Sequence, residues 1–252
     1  MSSAAGFPRI DLLVAPADAT SLVLLAHGGE ENSREPAGAW RPAILRMWPF
    51  ARAARAGALA AHGGAPGAAV GLMRYRYRGW NGADADPAAD LRAVLDRLPE
   101  RITRVVLIGH SMGGRAIVAA GNHRLVDGVL ALAPWLPDGE PLMQLRGPVV
   151  FAHGTADRIT DPAQTAAYAK RLRASGVPVA LLSVADENHT MLQRSPDWNA
   201  LVRDFAAGTT HNPSLDSDQV DPLPHSKHSD SALRGILDIA KARLTLRVVG
   251  RF

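Results

Sequence analysis

Residues 105–118 read VVLIGHSMGGRAIV, an apolar run followed at once by a serine set between glycines. Short, continuously apolar runs are typical of strands that are buried on both faces of a parallel sheet. The residues after Ser111 have the spacing of a helix. This stretch therefore predicts a strand, a sharp turn at Ser111 and a helix.

The same alternation of apolar runs and helical segments extends over most of the chain. Runs rich in Val, Ile and Leu predict strands at 21–27, 69–77, 104–110, 128–134, 148–154 and 178–184. Segments of helical spacing predict helices at about 41–61, 87–98, 112–122, 161–175 and 197–207. Because strands and helices alternate, we expect an α/β fold with a doubly wound, mainly parallel sheet and helices on both faces.

The composition changes near Thr209, and this change predicts the domain organisation. Residues 1–208 are expected to form one α/β domain, whereas 209–231 are rich in Pro, Ser, Asp and His and predict a polar linker. Residues 232–252 predict a C-terminal amphipathic appendage. The sequence leaves open whether this appendage docks on the body, pairs with a second copy in a homo-oligomer or frays. The tail histidines, His211, His225 and His228, are expected to be solvated.

The overall composition is that of a soluble globular protein. It is 47% hydrophobic and 21% charged, and no apolar run approaches the roughly 20 residues that cross a bilayer. We therefore expect no stable membrane insertion. The first residues lack the pattern of a secretory signal, so the expected location is the cytoplasm. The chain has no cysteine, which excludes disulfides and thiolate chemistry.

Positive charge is unevenly distributed along the chain. The net charge is +4, and no carboxylate lies between Glu35 and Asp84. A basic face attracts anionic substrates, acidic lipid or nucleic acid. We prefer a solvated surface and expect no nucleic-acid partner, because no nucleic-acid-binding motif accompanies the charge. The arginines of this segment are Arg41, Arg46, Arg52, Arg55, Arg74, Arg76 and Arg78.

The turn itself, Gly109-His110-Ser111-Met112-Gly113, matches the pattern G-x-S-x-G. A sharp turn from strand to helix brings backbone segments so close that only glycine fits two residues before and after the serine. Ser111 would then project above the carboxyl edge of the sheet. The N–H groups at the start of the next helix lie beneath it and favour negative charge.

A serine becomes a nucleophile only when a base accepts its proton and an acid orients that base. Residues 151–162, FAHGTADRITDP, place Asp157 after one predicted strand, and residues 181–192, LLSVADENHTML, place His189 after the next. All three groups follow the carboxyl ends of strands, where ligands bind in open α/β sheets. They are therefore expected to meet.

Three other carboxylates compete with Asp157 for the role of the acid. Asp161 directly precedes Pro162, which is typical of a helix cap. Asp186 and Glu187 are close to His189 in the sequence. We prefer Asp157 and keep the others as alternatives.

The motif and the chain order Ser, Asp, His resemble those of the α/β-hydrolase fold family over roughly residues 9–207. The resemblance implies that Ser111 is the nucleophile, Asp157 the orienting acid and His189 the general base. It also implies an oxyanion hole formed by two backbone N–H groups, one of which is that of Met112.

The second donor of the oxyanion hole is expected in residues 24–30, LLAHGGE. Our choice is Gly29, with Glu30 as the alternative. His27, His110 and His153 also follow predicted strands, and we expect them to have structural roles.

The spacing of the site restricts the substrate, because Ser111 and Asp157 are only 46 positions apart. This leaves no room for a helical lid, so we expect a nearly lidless hydrolase that cleaves small carboxylic esters. Glu30, Trp80 and Trp135 are candidates for the pocket wall, although buried packing explains each of the two tryptophans equally well. The sequence implies no cofactor and no metal.

The alternatives are a thioesterase, peptidase or perhydrolase that uses the same site, because the site does not separate these activities. A further alternative is a hydrolase-fold protein that binds a small molecule with little turnover.

Overall fold

The computed structural model describes residues 6–38, 40–64 and 67–210, together with the backbone of 246–248. The described strands form one eight-stranded sheet in the order β1-β3-β2-β4-β5-β6-β7-β8. The strands β2 to β7 are parallel, and the edge strands β1 and β8 are antiparallel to their neighbours. Their bounds are β1 Arg9–Val14, β2 Ser21–Ala26, β3 Ala68–Arg74, β4 Arg104–His110, β5 Val126–Leu132, β6 Val149–Gly154, β7 Val179–Val184 and β8 Leu246–Val248.

Helices cover both faces of this sheet, which confirms the expected fold class. Side chains of β2 alternate between two core clusters, with Leu22 and Leu24 on one face and Val23 and Leu25 on the other. The helices α3, α4 and α5 pack in the first cluster, and α2 and α6 pack in the second. The helix bounds are α1 Pro42–Leu45, α2 Met47–Ala61, α3 Asp86–Asp96, α4 Met112–Ala120, α5 Pro162–Ala174 and α6 Ser195–Thr210.

Two features differ from the sequence-based expectation. The predicted helix at 41–61 is divided at Arg46 into α1 and α2. The edge strand β1 was not predicted, because its residues RIDLLV are half-buried or exposed and include charges, so they form no continuous apolar run. Its pairing with β3 aligns Arg9 with Arg74.

Most of the predicted C-terminal region lies outside the described residues. These include the linker from residue 211 onward, the amphipathic helix and the tail histidines. Within 232–252, the described residues Leu246–Val248 pair with β7, with Leu182 opposite Val248. The predicted domain boundaries stay predictions.

None of the helices in the described part of the chain combines the length and hydrophobicity needed to cross a membrane.

Candidate active site

Ser111 occupies a strained turn between β4 and α4. Its φ of 57° and ψ of −122° are rare for a residue with a side chain. Its N–H donates to the Leu132 carbonyl at 3.1 Å, and its own carbonyl accepts from the N–H groups of Arg115 and Trp135 at 3.2 and 3.1 Å. Hydrogen bonds from α4 and from the end of β5 therefore hold this conformation in place.

The glycines of the turn allow α4 to approach the sheet closely. A Cβ atom on Gly109 would lie 2.4 Å from the Gly113 carbonyl oxygen. A Cβ atom on Gly113 would lie 2.3 Å from the carbonyl oxygen of Ala26, the last residue of β2. Any side chain at either position would force α4 away from β2 and would move Ser111.

The end of β2 brings Gly28 against the Ser111 side chain. A Cβ atom on Gly28 would lie 3.2 Å from Ser111 Cβ and 3.6 Å from Ser111 Oγ. The backbone of Gly28 therefore forms one wall of the space around the hydroxyl group. Sequence analysis did not single out this residue, and the only signal was the Gly-Gly pair after His27.

The candidate donors of an oxyanion hole lie beside this wall. Met112 is the first residue of α4, so its N–H has no partner within the helix. The Gly28 carbonyl accepts a hydrogen bond from His27 Nδ1 at 2.7 Å. The N–H of Gly29, on the other side of the same trans peptide, therefore points away from His27.

The N–H of Glu30 donates to the Arg78 carbonyl at 2.9 Å. It is therefore occupied. In the described part of the chain, no acceptor is found for the N–H of Gly29 or of Met112.

Asp157 is buried in the loop after β6 and accepts five hydrogen bonds. Its Oδ2 accepts from His189 Nδ1 at 2.8 Å, from His153 Nε2 at 3.1 Å and from Thr160 Oγ1 at 3.0 Å. Its Oδ1 accepts from the N–H groups of Ile159 and Thr160. Burial favours the neutral acid, but these hydrogen bonds outweigh it and hold the pKa of Asp157 well below its usual range.

His189 is oriented by this carboxylate. Because Nδ1 donates to Asp157, Nε2 is the ring nitrogen that can accept a proton. The His189 ring centroid lies 4.7 Å from that of His110, the residue before Ser111. His110 Nε2 also donates to the His189 carbonyl at 3.1 Å, which ties the His189 loop to the end of β4.

The structure thus brings Asp157 and His189 into contact and places their pair next to the Ser111 turn. Among the described residues, no hydrogen bond joins the Ser111 hydroxyl to His189.

Two buried histidines on the other side of Ser111 are neutral. Burial, together with the adjacent His189, lowers the pKa of His110 to about 3. Burial also lowers the pKa of His27 to about 4, partly offset by its hydrogen bond to the Gly28 carbonyl. Among the residues that the structure describes, both rings donate only to backbone carbonyls.

The competing carboxylates have other partners. Asp161 caps α5 by accepting from the Ala163 N–H at 2.8 Å. Glu187 is buried and accepts from Trp198 Nε1 and from the N–H groups of Asn188 and Arg194. The exposed residue Asp186 lies at the turn after β7 with a φ of 60°.

The two candidate tryptophans enclose an arginine that sequence analysis missed. The Arg115 guanidinium lies 3.9 Å from the centroid of the Trp80 ring and 4.6 Å from that of Trp135. It also pairs with the buried Glu140 at 2.7 Å. Trp80 is buried, whereas Trp135 is half-buried, and its backbone N–H donates to the Ser111 carbonyl.

A pocket of about 240 Å³ lies next to this site. Its wall is formed by residues 27–30 after β2, by the start of α1 and by Arg78. Glu30 lines this pocket, and its carboxylate pairs with Arg41 at 2.7 Å. In the part of the chain that the structure describes, no group of His, Asp or Glu side chains is arranged to hold a metal ion.

Several solved structures share this fold at low sequence identity. An α/β serine hydrolase without a lid from Xanthomonas campestris is 18% identical, with a TM-score of 0.54, over 85% of this chain and 90% of that chain. A hyperthermophilic esterase from Pyrobaculum calidifontis is 12% identical, with a TM-score of 0.55, over 81% and 86%. Est1E from Butyrivibrio proteoclasticus is 13% identical, with a TM-score of 0.54, over 81% and 94%.

A search of curated protein sequences finds no significant match to this chain. The family model of the α/β hydrolases matches residues 23–236. This match covers most of the chain, including β2 to β7 and all of the candidate site residues. The chain therefore belongs to the α/β hydrolase family.

Proposed function

We propose that this protein is a serine hydrolase that cleaves small carboxylic esters through an acyl-enzyme intermediate. The observation that carries the proposal is the 2.8 Å contact between His189 Nδ1 and the buried Asp157 carboxylate, next to the strained Ser111 turn. This contact leaves the Nε2 lone pair of His189 available as a general base. Acyl transfer also requires a nucleophile and oxyanion donors, and the candidates for these roles are Ser111 and the N–H groups of Met112 and Gly29.

In the proposed reaction, Ser111 Oγ attacks the ester carbonyl carbon while His189 Nε2 accepts the hydroxyl proton. The carbonyl oxygen becomes an oxyanion and accepts hydrogen bonds from two backbone N–H groups. The C–O bond to the alcohol then breaks, and the alcohol leaves with the proton from His189. A water molecule repeats these steps on the acyl-enzyme and releases the carboxylic acid. The required bond between Ser111 and His189 forms as the serine side chain rotates on substrate binding.

Met112 and Gly29 are the proposed oxyanion donors. Their N–H groups have no acceptor within the described residues, whereas the N–H of Glu30 is occupied by the Arg78 carbonyl. This difference favours Gly29 over Glu30. Gly28 contributes the space that the oxyanion and the hydroxyl share.

The small size of the ester is supported by the connection between β5 and β6. Residues 133–148 are all described and contain no helix, so this connection provides no helical lid over Ser111. The half-buried Trp135 lies at the start of this connection and is the proposed apolar wall beside the acyl group.

The experiment that tests this function compares the wild-type protein with Ser111→Ala. We expect the variant to lose hydrolysis of p-nitrophenyl acetate by at least about 10⁴-fold, together with labelling by a fluorophosphonate. Ser175→Ala is the matched control and should retain both, because Ser175 lies at the end of α5 and bonds to the Leu172 carbonyl. Turnover retained in Ser111→Ala would refute the proposal. A stoichiometric burst without turnover in the wild-type protein would instead favour a small-molecule binding protein.

A further inference from the structure

The outward side of α1 and α2 carries a continuous stripe of apolar and basic residues. Leu45, Trp48, Arg52 and Arg55 recur at intervals of three, four and three, so they lie on one side of the helical path. Arg46 between the two helices has helical dihedral angles, which keeps the stripe continuous. The opposite side is buried in the core through residues such as Met47 and Phe50.

Large apolar side chains are exposed at the start of this stripe. Trp40 is 85% exposed, Leu45 is 42% exposed and Trp48 is 39% exposed. Single exposed apolar residues are ordinary, but Leu45 and Trp48 lie one helical turn apart and Trp40 lies just before α1, and several exposed apolar residues in one short segment mark an interaction surface. We call Trp40, Leu45, Trp48, Arg52 and Arg55 the outer face.

The basic residues of the outer face are not neutralised. No carboxylate lies between Glu35 and Asp84 in the sequence. Arg41, Arg74, Arg76 and Arg78 each pair with a carboxylate from another segment. Arg52 and Arg55, in contrast, are exposed and form no ion pair with any described residue. Unpaired positive charge therefore lies directly beside the exposed apolar side chains.

The outer face is adjacent to the candidate active site. The start of α1 lines the same pocket as Gly28, whose backbone borders the Ser111 hydroxyl. Met191 in the loop that carries His189 is buried in the same core cluster as Met47 of α2, so the loop and α2 lie on the same face of the sheet. In that loop Leu192 is also exposed, so a further large apolar side chain reaches solvent close to His189 in the sequence.

We propose that the outer face docks this protein peripherally on membranes that contain anionic lipids. Tryptophan side chains favour the interface between headgroups and acyl chains, and arginines are attracted to anionic headgroups. A second copy of the chain fits the outer face poorly, because a two-fold interface would bring the unpaired arginines of both copies together. Binding by this face does not require turnover at Ser111, so it is testable without a substrate.

The test measures cosedimentation of the full-length protein with vesicles of phosphatidylcholine alone and of phosphatidylcholine mixed with phosphatidylserine. We expect preferential binding to the anionic vesicles that weakens as salt is added. The double variant R52Q/R55Q should reduce the partition coefficient on anionic vesicles by at least about tenfold. The double variant W40A/W48A should reduce binding to both kinds of vesicle by a similar factor, about tenfold.

Phe7→Ala is the matched control. Phe7 is 79% exposed but lies against Arg97, just after α3, on the opposite face of the sheet. We expect Phe7→Ala to bind like the wild-type protein. Because all substituted side chains are exposed, thermal unfolding should be close to that of the wild-type protein and serves as the control for folding.

Three results would overturn the proposal. The first is no binding of the wild-type protein to anionic vesicles. The second is equal binding by the wild-type protein and both double variants, or an equal loss in Phe7→Ala. The third is that the wild-type protein binds no vesicles but forms a dimer, seen by sedimentation velocity, or a complex with duplex DNA, and that the double variants lose this dimer or complex. That result would assign the outer face to a different partner.

Discussion

The two sides of the Ser111 turn hold their histidines in opposite surroundings. On the side of β6 and β7, His153 and His189 both donate to the carboxylate of Asp157. On the side of β2 and β4, His27 and His110 donate only to backbone carbonyls, and the second ring nitrogen of each is buried without a partner in the described part of the chain. A carboxylate favours a protonated imidazole, whereas burial without one opposes it.

This contrast separates two ways of building a site. The side of Asp157 is held by side-chain hydrogen bonds, so changing one donor or acceptor should disable it. The side of Gly28 is held by close backbone contacts, so adding a single carbon atom should impair it. The three predictions that follow test each side, from the largest expected effect to the smallest.

The largest effect is expected from Asp157→Asn. The Asp157 carboxylate accepts hydrogen bonds from side chains at one oxygen and from two backbone N–H groups at the other. An Asn side chain has a single acceptor oxygen, so its NH2 group must face one of these two sets of donors, which disrupts the orientation or the tautomer of His189. We expect the kcat/KM for p-nitrophenyl acetate to fall by about 10³-fold to 10⁴-fold. Steady-state kinetics at neutral pH measures this change.

Asp161→Asn is the control for that variant, since Asp161 lies in the same loop and caps α5. It should cost about 1 kcal/mol of unfolding free energy or less and leave kcat/KM near the wild-type value. If Asp161→Asn were the more damaging of the two, Asp161 would be the orienting acid.

The second prediction concerns how low pH affects the stability of the fold through the two histidines on the side of β2 and β4. The folded-state pKa values of His27 and His110, about 4 and about 3, lie below the value of about 6.5 expected in the unfolded chain. Between these limits the unfolded state binds more protons, so acidification destabilises the fold. We expect each histidine to lower the unfolding free energy by about 1.4 kcal/mol per pH unit below about pH 6.5.

Urea unfolding at a series of pH values measures this effect. His27→Asn and His110→Asn should each flatten the slope. Asp157 acts in a lower pH range. Its pKa is lowered in the fold, so its stabilisation is fully present above about pH 3.9 and is lost only as the pH falls below that value. A slope unchanged in both histidine variants would show that these rings are not held neutral by burial.

The smallest effect is expected from a pair of neighbouring glycines. A Cβ atom on Gly29 would lie 2.2 Å from the Arg78 carbonyl oxygen and 2.4 Å from Met112 Cε, so Gly29→Ala should cost about 1–3 kcal/mol of unfolding free energy and also lower kcat/KM by displacing the proposed oxyanion donors. Gly28→Ala adds a methyl group 3.6 Å from Ser111 Oγ and should lower kcat/KM by about tenfold, but at a stability cost of only about 1 kcal/mol or less.

Gly38→Ala is the control, since a Cβ atom there meets no atom of the described residues within 4 Å. Thermal unfolding and kinetics on the three variants separate the two effects. If Gly28→Ala were the less stable of the two variants, or kept the wild-type kcat/KM, Gly28 would not be the wall of the space around the Ser111 hydroxyl.

The central strands were predictable, whereas β1 was not. Parallel strands between two helical layers need apolar residues on both faces, and this requirement is visible as a continuous run such as VVLIGH at 105–110. The strand β1 lies at an edge and has solvent on one side, so charges such as Arg9 and Asp11 interrupt its apolar pattern. Its position depends on pairing with β3, which a local pattern does not encode.

The candidate site was predictable to the same extent. Ser111 is identified by its local glycine pattern, and Asp157 and His189 by their places after two strands. The roles of Thr160, Arg115 and Gly28 were not predictable, because each depends on contacts between distant segments. Thr160 Oγ1, for example, lies within hydrogen-bonding distance of both the Ala133 carbonyl in another loop and the Asp157 carboxylate.

The sequence by itself determined the α/β layering, the turn at Ser111 and the order of the three candidate side chains, because apolar periodicity and glycine placement act over a few neighbouring residues. Only the tertiary structure decided which histidines contact a carboxylate and which glycine borders the serine hydroxyl. These outcomes depend on ångström-scale distances between loops that lie tens of residues apart, and burial and close packing set them only after the sheet has formed.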